Sequence, residues 1–265
     1  MEFGGKTVWI TGASSGIGKA LALEFFRRGA VVVLSARSAD KLGELKEILD
    51  GIETGRCHVV PCDVTDPESV RRAAGAVKSA IGRLDILVNN AGVSQRSTAL
   101  ETESRVERAL FEVNFFGAVA VTRNALPWMI ETGGGRIVVI GSMAGKFGFP
   151  MRSTYCASKH ALQGYFETLR AELRGTGVGV TLVCPGRIRT DISIHSLKGD
   201  GTVYGRMDAG QERGMPVERC ARIIIEAVRR RRKEILIGAP ERLLYFIRRF
   251  FPPLFYGITE RINPI

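Results

Sequence analysis

An α/β fold built on a doubly wound parallel sheet is predicted by three features of this 265-residue chain. Short β-branched runs alternate with longer helical stretches from the first residues onward. The runs are continuously apolar, as in strands covered on both faces, and do not alternate apolar with polar residues. A glycine-rich loop separates the first run from the first helical stretch.

The runs at 7–10, 31–35, 58–61, 84–88, 136–140, 179–183 and 234–237 read as seven strands. Helical stretches lie between them near 16–28, 40–49, 67–81, 103–131, 154–174 and 217–231. No low-complexity tract or internal repeat interrupts the rhythm, so one domain over 1–265 is expected. Two segments depart from it. Residues 187–215 carry five glycines without periodicity, as a substrate lid would, and residues 241–265 form an aromatic and basic tail.

With 45% hydrophobic residues the chain can bury a large core, which excludes a disordered protein and a small disulfide scaffold. No apolar run reaches the roughly 18 to 20 residues of a bilayer-spanning helix. Lys6 and the strand-like Thr7–Ile10 lead straight into the glycine loop, so no leader is expected. Cys57, Cys62, Cys156, Cys184 and Cys220 are too scattered for a zinc site and fit reduced thiols, so a cytoplasmic protein without a metal is expected. The net charge is +11, and twelve Arg and Lys against five Glu from Arg213 onward place +7 of it in the last fifth. Nucleic acid, an anionic membrane surface and plain solvated helix are the three readings of such an end.

Thr11-Gly12-Ala13-Ser14-Ser15-Gly16-Ile17-Gly18 opens the first helix. Glycines there let a pyrophosphate approach the helix N-terminus, where free N–H groups and the dipole favour anions. The second strand runs out as Ser35-Ala36-Arg37-Ser38, with no acid to hydrogen-bond a ribose. Arg37 there faces either a 2′-phosphate, which selects NADP(H), or solvent in a turn.

Tyr155 and Lys159 are four apart on one helical face. An ammonium about 4 Å from a phenol contributes roughly 4 kcal/mol at an effective dielectric of 20, or about three pKa units. That would bring the tyrosine towards neutrality, where it can exchange protons. The pattern occurs by chance on many helices, but Ser142 follows a strand at its carboxyl end, where such sheets place ligands.

Together, TGASSGIG (11–18), NNAG (89–92), the Asn114 of VNFFG, the Ser142 of IGSMAG, YCASK (155–159) and PG (185–186) resemble the short-chain dehydrogenase/reductase family over Lys6 to about Ile237. The resemblance implies a Rossmann-type sheet of seven parallel strands, a homodimer or homotetramer, and a tetrad of Asn114, Ser142, Tyr155 and Lys159. It further implies that Tyr155 transfers the proton and Ser142 holds the substrate oxygen. Lys159 would bind the nicotinamide ribose and lower the tyrosine pKa, and Asn114 would hold a water leading to solvent. The cofactor set it implies includes Gly12, Ser14, Ser15, Gly16, Ile17 and Gly18. Asp63 and Val64 belong to it for the adenine, Asn90 with Ala91 and Gly92 for the ribose, and Pro185, Gly186, Ile188 and Thr190 for the nicotinamide. The stretch PGRIRTDIS, the glycine-rich segment after it and the helix MPVERCARIIIEAVRRRRKEILIG look more narrowly like the branch of the dehydrogenase/reductase member 7 proteins and 11β-hydroxysteroid dehydrogenases.

The leading expectation is an NADP(H)-dependent oxidoreductase interconverting a ketone or aldehyde with an alcohol. A soluble 3-oxoacyl-carrier-protein reductase is the runner-up, against which the aromatic tail speaks. A non-catalytic nucleotide sensor or nucleic-acid binder would have no use for Tyr155 and Lys159 in register, so no nucleic-acid partner is expected. A lipophilic substrate is expected from Met143, Phe147, Phe149, Met151, Ile192, Ile194 and Leu197, unless these only pack the lid against the body. Cys156 reads as a packed thiol, Asn89 as a turn residue, Trp128 with Met129 as core, and His195 as either a substrate contact or a loop histidine. Residues 243–258 hold six of the chain's 20 aromatics, with Arg248 and Arg249 among them and Pro252-Pro253 breaking any helix. This tail suits peripheral contact with the inner membrane face, or packing on its own body or a partner subunit.

Overall fold

In the computed structural model, which describes residues 2–261, nine strands occur in the order β1 (Thr7–Thr11), β2 (Val31–Ser35), β3 (Cys57–Val59), β4 (Ile86–Asn89), β5 (Gly135–Ile140), β6 (Val178–Pro185), β7 (Ile188–Arg189), β8 (Met215–Pro216) and β9 (Glu234–Ile237). Seven of them form one parallel sheet in the order β3-β2-β1-β4-β5-β6-β9, while β7 and β8 pair with each other outside it. The strand order reverses between β1 and β4. That reversal opens a crevice at the carboxyl ends, where ligands bind in sheets of this kind.

The ten helices are α1 (Gly16–Arg27), α2 (Ala39–Asp50), α3 (Pro67–Ile81), α4 (Ser104–Phe111), α5 (Gly117–Glu131), α6 (Ser153–Glu172), α7 (Ala209–Glu212), α8 (Val217–Arg229), α9 (Ala239–Phe250) and α10 (Pro252–Thr259). Strand alternation decides which helices cover which face. Val8 and Ile10 of β1 point to one side, with Val32, Leu34, Val138 and Ile140, and meet α1, α2 and α8. Trp9, Val33, Leu87, Ile137 and Val139 point to the other and meet α3, α5 and α6. Local chemistry starts the helices where they start. Asp66 accepts a hydrogen bond from the Glu68 N–H at 2.9 Å, and Pro67 fills the first position of α3, where no N–H is needed.

Two sequence expectations are corrected. The single helix expected over 103–131 is two α-helices joined by a π-helical turn, Glu112–Phe116, whose extra residue shifts the helical phase around Asn114. The segment after Pro252-Pro253 is helical, because both prolines occupy the first turn of α10, where they start a helix without breaking it. Met143, Phe147, Phe149 and Phe255 pack with Leu244, Tyr245 and Ile247, so one face of the tail rests on the body. Residues 262–265 of the expected tail lie outside the described residues. The glycine-rich segment 187–215 contains β7, α7 and β8 and is pinned by Asp208, which takes two guanidinium groups.

Asp85 fastens the amino ends of β1 and β4. Its buried carboxylate accepts from the Lys6 ammonium at 3.0 Å, the Thr7 N–H at 3.1 Å and the Arg83 guanidinium at 3.0 Å. Burial works to raise its pKa, yet these donors together hold it below the ordinary carboxylate value. Asp85→Ala should therefore lower stability by about 2 kcal/mol, the scale of charged hydrogen bonds and a stranded backbone donor. The shift in urea midpoint reads this. Because the folded-state pKa is the lower one, the contribution is present above the unfolded carboxylate value and fades as pH falls through the folded one. The parent should thus lose its margin over Asp85→Ala on acidification.

Candidate active site

A cavity of about 590 Å³ opens at the reversal point and runs from the glycine loop to the segment 187–215. Its walls hold Gly12, Ser14, Ser15, Gly16, Ile17, Arg37, Asp63, Val64, Asn90, Ala91, Gly92, Ser142, Tyr155, Lys159, Pro185, Gly186, Ile188 and Thr190. All the sequence-derived site residues except Gly18 and Asn114 therefore reach one cavity.

Those two act from behind the wall. A Cβ on Gly18 would lie 2.2 Å from the Gly12 carbonyl oxygen, so this glycine lets α1 close against the loop and does not face a ligand. Asn114 sits in the π-helical turn, accepting from the Val93 N–H at 2.8 Å and donating to the Val93 carbonyl at 3.0 Å and the Ser158 hydroxyl at 3.1 Å. Its side chain is spent on fixing the loop after β4. Asn90 lines the cavity, but its amide donates to the Thr11 and Gly12 carbonyls, both at 3.0 Å, and so braces the glycine loop.

No side chain caps the start of α1, because Ser15 makes no cap hydrogen bond. Gly16 and Ile17 of that first turn line the cavity, leaving an uncapped N-terminus suited to a pyrophosphate. Beyond it Arg37, Ser38 and Lys41 form the outer rim. Lys41 belongs to α2 and gave no signal in the sequence beyond an exposed charge.

At the inner end, Ser142 follows β5, accepts from the Ala144 N–H at 3.1 Å and donates to the Pro185 carbonyl at 3.5 Å, with Tyr155 on the same stretch of wall. Lys159, one helical turn beyond Tyr155, donates to the Ile140 carbonyl at 3.0 Å, and its nitrogen lies 5.9 Å from the centre of the Tyr155 ring. The expected lowering of the Tyr155 pKa by Lys159 is not found. Burial raises the tyrosine, which the nearby Ser142 hydroxyl and the Arg152 charge only partly oppose. Burial also pushes Lys159 down to about 8, and its ammonium gives one of its three N–H donors to the Ile140 carbonyl.

Of the apolar residues expected around a substrate, Met143, Phe149, Ile192 and Leu197 line the cavity, as does His195. Phe147 instead packs beneath Phe149 and against Phe255 at ring separations of 5.0 and 5.5 Å, and Met151 and Ile194 lie outside the lining. Cys156 is buried with its thiol pKa raised by desolvation, and Trp128 and Met129 are core residues. Asn89 is buried in β4 and donates to the Thr122 hydroxyl at 2.8 Å, so it is a packed strand end and not a turn residue. Sequence reasoning missed Arg96, Arg152 and Glu241, all on the wall. Glu241 is buried, lies against Gly186 and accepts from the Arg187 N–H at 3.3 Å.

Comparison with known proteins gives the family. Residues 6–200 match the family model described as short chain dehydrogenase. The chain is 41% identical over 259 residues to dehydrogenase/reductase SDR family member 7B of Xenopus laevis, covering 96% of this chain and 80% of that protein. It is 39% identical over 256 residues to the Mus musculus protein of the same name, covering 95% and 79%. A short-chain dehydrogenase/reductase of Burkholderia phymatum, solved in complex with NAD, superposes with a TM-score of 0.85 at 28% identity, covering 100% of this chain and 98% of that one. A short-chain dehydrogenase of Streptomyces avermitilis gives 0.81 at 30% identity, covering 96% of each. With the matched model spanning most of the chain, the protein belongs to the short-chain dehydrogenase family of oxidoreductases.

Proposed function

We propose that the protein is an NADP(H)-dependent carbonyl reductase or alcohol dehydrogenase acting on a lipophilic substrate. The observation that carries this reading is the meeting of Ser142, Tyr155 and Lys159 in one cavity with an uncapped helix N-terminus. The dinucleotide supplies hydride transfer when bound along the glycine loop. The chain's own residues do the rest. Tyr155, kept protonated by burial, gives its phenolic proton to the carbonyl oxygen during reduction, and Ser142 holds that oxygen. Lys159 steadies the departing charge and holds the ribose, while Asn114 acts as a positioning residue through Val93 and Ser158. A panel of NADPH-consuming assays with steroid, retinal, long-chain and acyl-thioester carbonyls tests the activity. Turnover confined to acyl-carrier-protein thioesters would favour the alternative of a 3-oxoacyl-carrier-protein reductase. The segment 187–215, of which Ile192, His195 and Leu197 line the cavity, serves in this reading as the substrate lid, and a homodimer or homotetramer is the assembly expected of the family.

The preference for NADP(H) rests on Arg37 and Lys41 at the rim, since two cations and no acid suit a 2′-phosphate. The NAD of the Burkholderia phymatum structure supports a nicotinamide dinucleotide of either kind.

A peripheral membrane role is supported by the outer face of the tail. Leu243, Phe246, Phe250, Phe251 and Leu254 are exposed there, with Arg242 and Arg249 exposed beside them. Leu243, Phe246 and Phe250 follow helical spacing along α9. Rings and arginines together suit the boundary of an anionic bilayer, and no helix among the described residues is long and apolar enough to cross one.

Three outcomes are expected. Tyr155→Phe should retain NADPH binding, read by fluorescence, and lose about 10² to 10⁴-fold in turnover; a variant within threefold of the parent refutes the assignment. The parent should favour NADPH over NADH by about tenfold or more in kcat/KM, given the strength of hydrogen bonds to charged groups, and Arg37→Asp should move it towards NADH. The full chain should sediment with anionic vesicles at low salt and not with neutral ones, and Phe250→Glu with Phe251→Glu should abolish this.

A further inference from the structure

One charge cluster on the cavity wall plays no part in the chemistry above. Arg96, in the loop after β4, is buried and makes four hydrogen bonds. Its guanidinium binds the Asp208 carboxylate, the Ser94 hydroxyl at 2.9 Å and the Gln95 carbonyl at 2.6 Å. Arg152, the residue before α6, reaches the same carboxylate oxygen of Asp208 at 3.1 Å. Two guanidinium groups thus share one carboxylate.

Arg152 is the one with capacity to spare. It uses a single N–H towards Asp208, and its remaining donors meet no protein acceptor among the described residues, although its side chain is only 22% exposed. Those donors are not sealed off in the protein but belong to a residue of the cavity wall, where a ligand can reach them. The first-turn amides of α6 do not compete for a ligand, since Thr154 and Tyr155 both donate to the Gln95 side chain. Of the carboxylates on the cavity wall, Asp63 accepts from the Thr65 N–H and hydroxyl beyond β3, Asp191 is exposed and lies beside Thr190 on the glycine-loop side, and Glu241 is engaged with Arg187. Arg152 stands three residues, less than one helical turn, before Tyr155, and Phe149, Ile192 and Leu197 line the same end.

We infer that Arg152 is a specificity-determining residue that pairs with an anionic group, carboxylate or phosphate, carried by the carbonyl substrate beside an apolar chain. This rests on the oxidoreductase reading and names its substrate class. A guanidinium fork matches both anions, and the Arg152 donors that meet no protein acceptor are free to take one. Burial and the neighbouring Arg96 charge lower the Arg152 pKa, as expected of a cation waiting for a partner.

The test compares ten-carbon ketones at saturating NADPH: 5-oxodecanoate, its methyl ester, and a ten-carbon hydroxyketone phosphate monoester. At least one anionic member should exceed the ester by tenfold or more in kcat/KM, chiefly through KM, and the better of the two identifies the anion. Arg152→Gln should bring the ratio of anionic to neutral substrate to within about threefold of one, and Arg152→Lys should keep part of it. Equal use of all three by the parent, or a ratio unmoved in Arg152→Gln, overturns the proposal. Calorimetric titration of 5-oxodecanoate and the phosphate monoester into the NADPH-loaded protein separates the two levels of the argument. Absence of turnover with Arg152-dependent binding of either anion refutes the oxidoreductase reading and keeps the anion site. Turnover of the ester with no Arg152-dependent anion binding does the reverse.

Discussion

Much of the site is arranged around one buried ammonium. Lys159 is nearly inaccessible to water, so its charge has to be met by the protein, and the carbonyl of Ile140 meets it. That carbonyl is available because β5 ends there and the chain turns away as Gly141-Ser142. Room for the lysine is made by missing side chains. A Cβ on Gly145 would stand 2.6 Å from the Lys159 carbonyl, and one on Gly92 would stand 3.5 Å from its nitrogen and 3.1 Å from Asn114. The end of β5, the loop after β4, the π-helical turn and α6 are thereby fixed to one another. Ser142 and Tyr155 take their positions from the same fixed parts.

The cavity built on this frame carries cations at both ends. Arg37 and Lys41 stand at the outer rim, and Arg96 with Arg152 at the inner end among apolar residues such as Met143, Phe149 and Ile192. Fields of one sign at each end of a partly covered cleft draw anions in and orient them along its length. A dinucleotide and an amphiphilic acid are both matched by that layout.

The sheet was legible because its strands are buried on both faces and so appear as unbroken apolar runs such as Val31–Ser35. Boundaries were less so. The strand read as 84–88 begins at Ile86, since Asp85 turns its side chain to Lys6 and Arg83 and ends the apolar stretch. The tetrad was legible because its members sit in contiguous motifs. Arg96, Arg152 and Asp208 were not, because three separate loops bring them together and each alone looks like a solvated charge. The π-helical turn left no trace either, as ordinary helical residues flank it on both sides. In the tail, Pro252 marked the break correctly, but which face turns inward depends on Met143 and Phe147, which no local pattern could relate to Phe255.

Glu241 gives the end of the chain a hold on the cavity. It is a wall residue contributed by α9, and α9 is kept down by a small apolar cluster around Phe255 that is separate from the two cores of the sheet. Peeling the last two helices away would therefore leave the sheet and the catalytic side chains standing while removing one side of the cavity. Such a partial opening costs far less than global unfolding. The molecule thus has a removable panel, and substitutions on its inner face are a means of reshaping the cavity without disturbing the sheet that carries the chemistry.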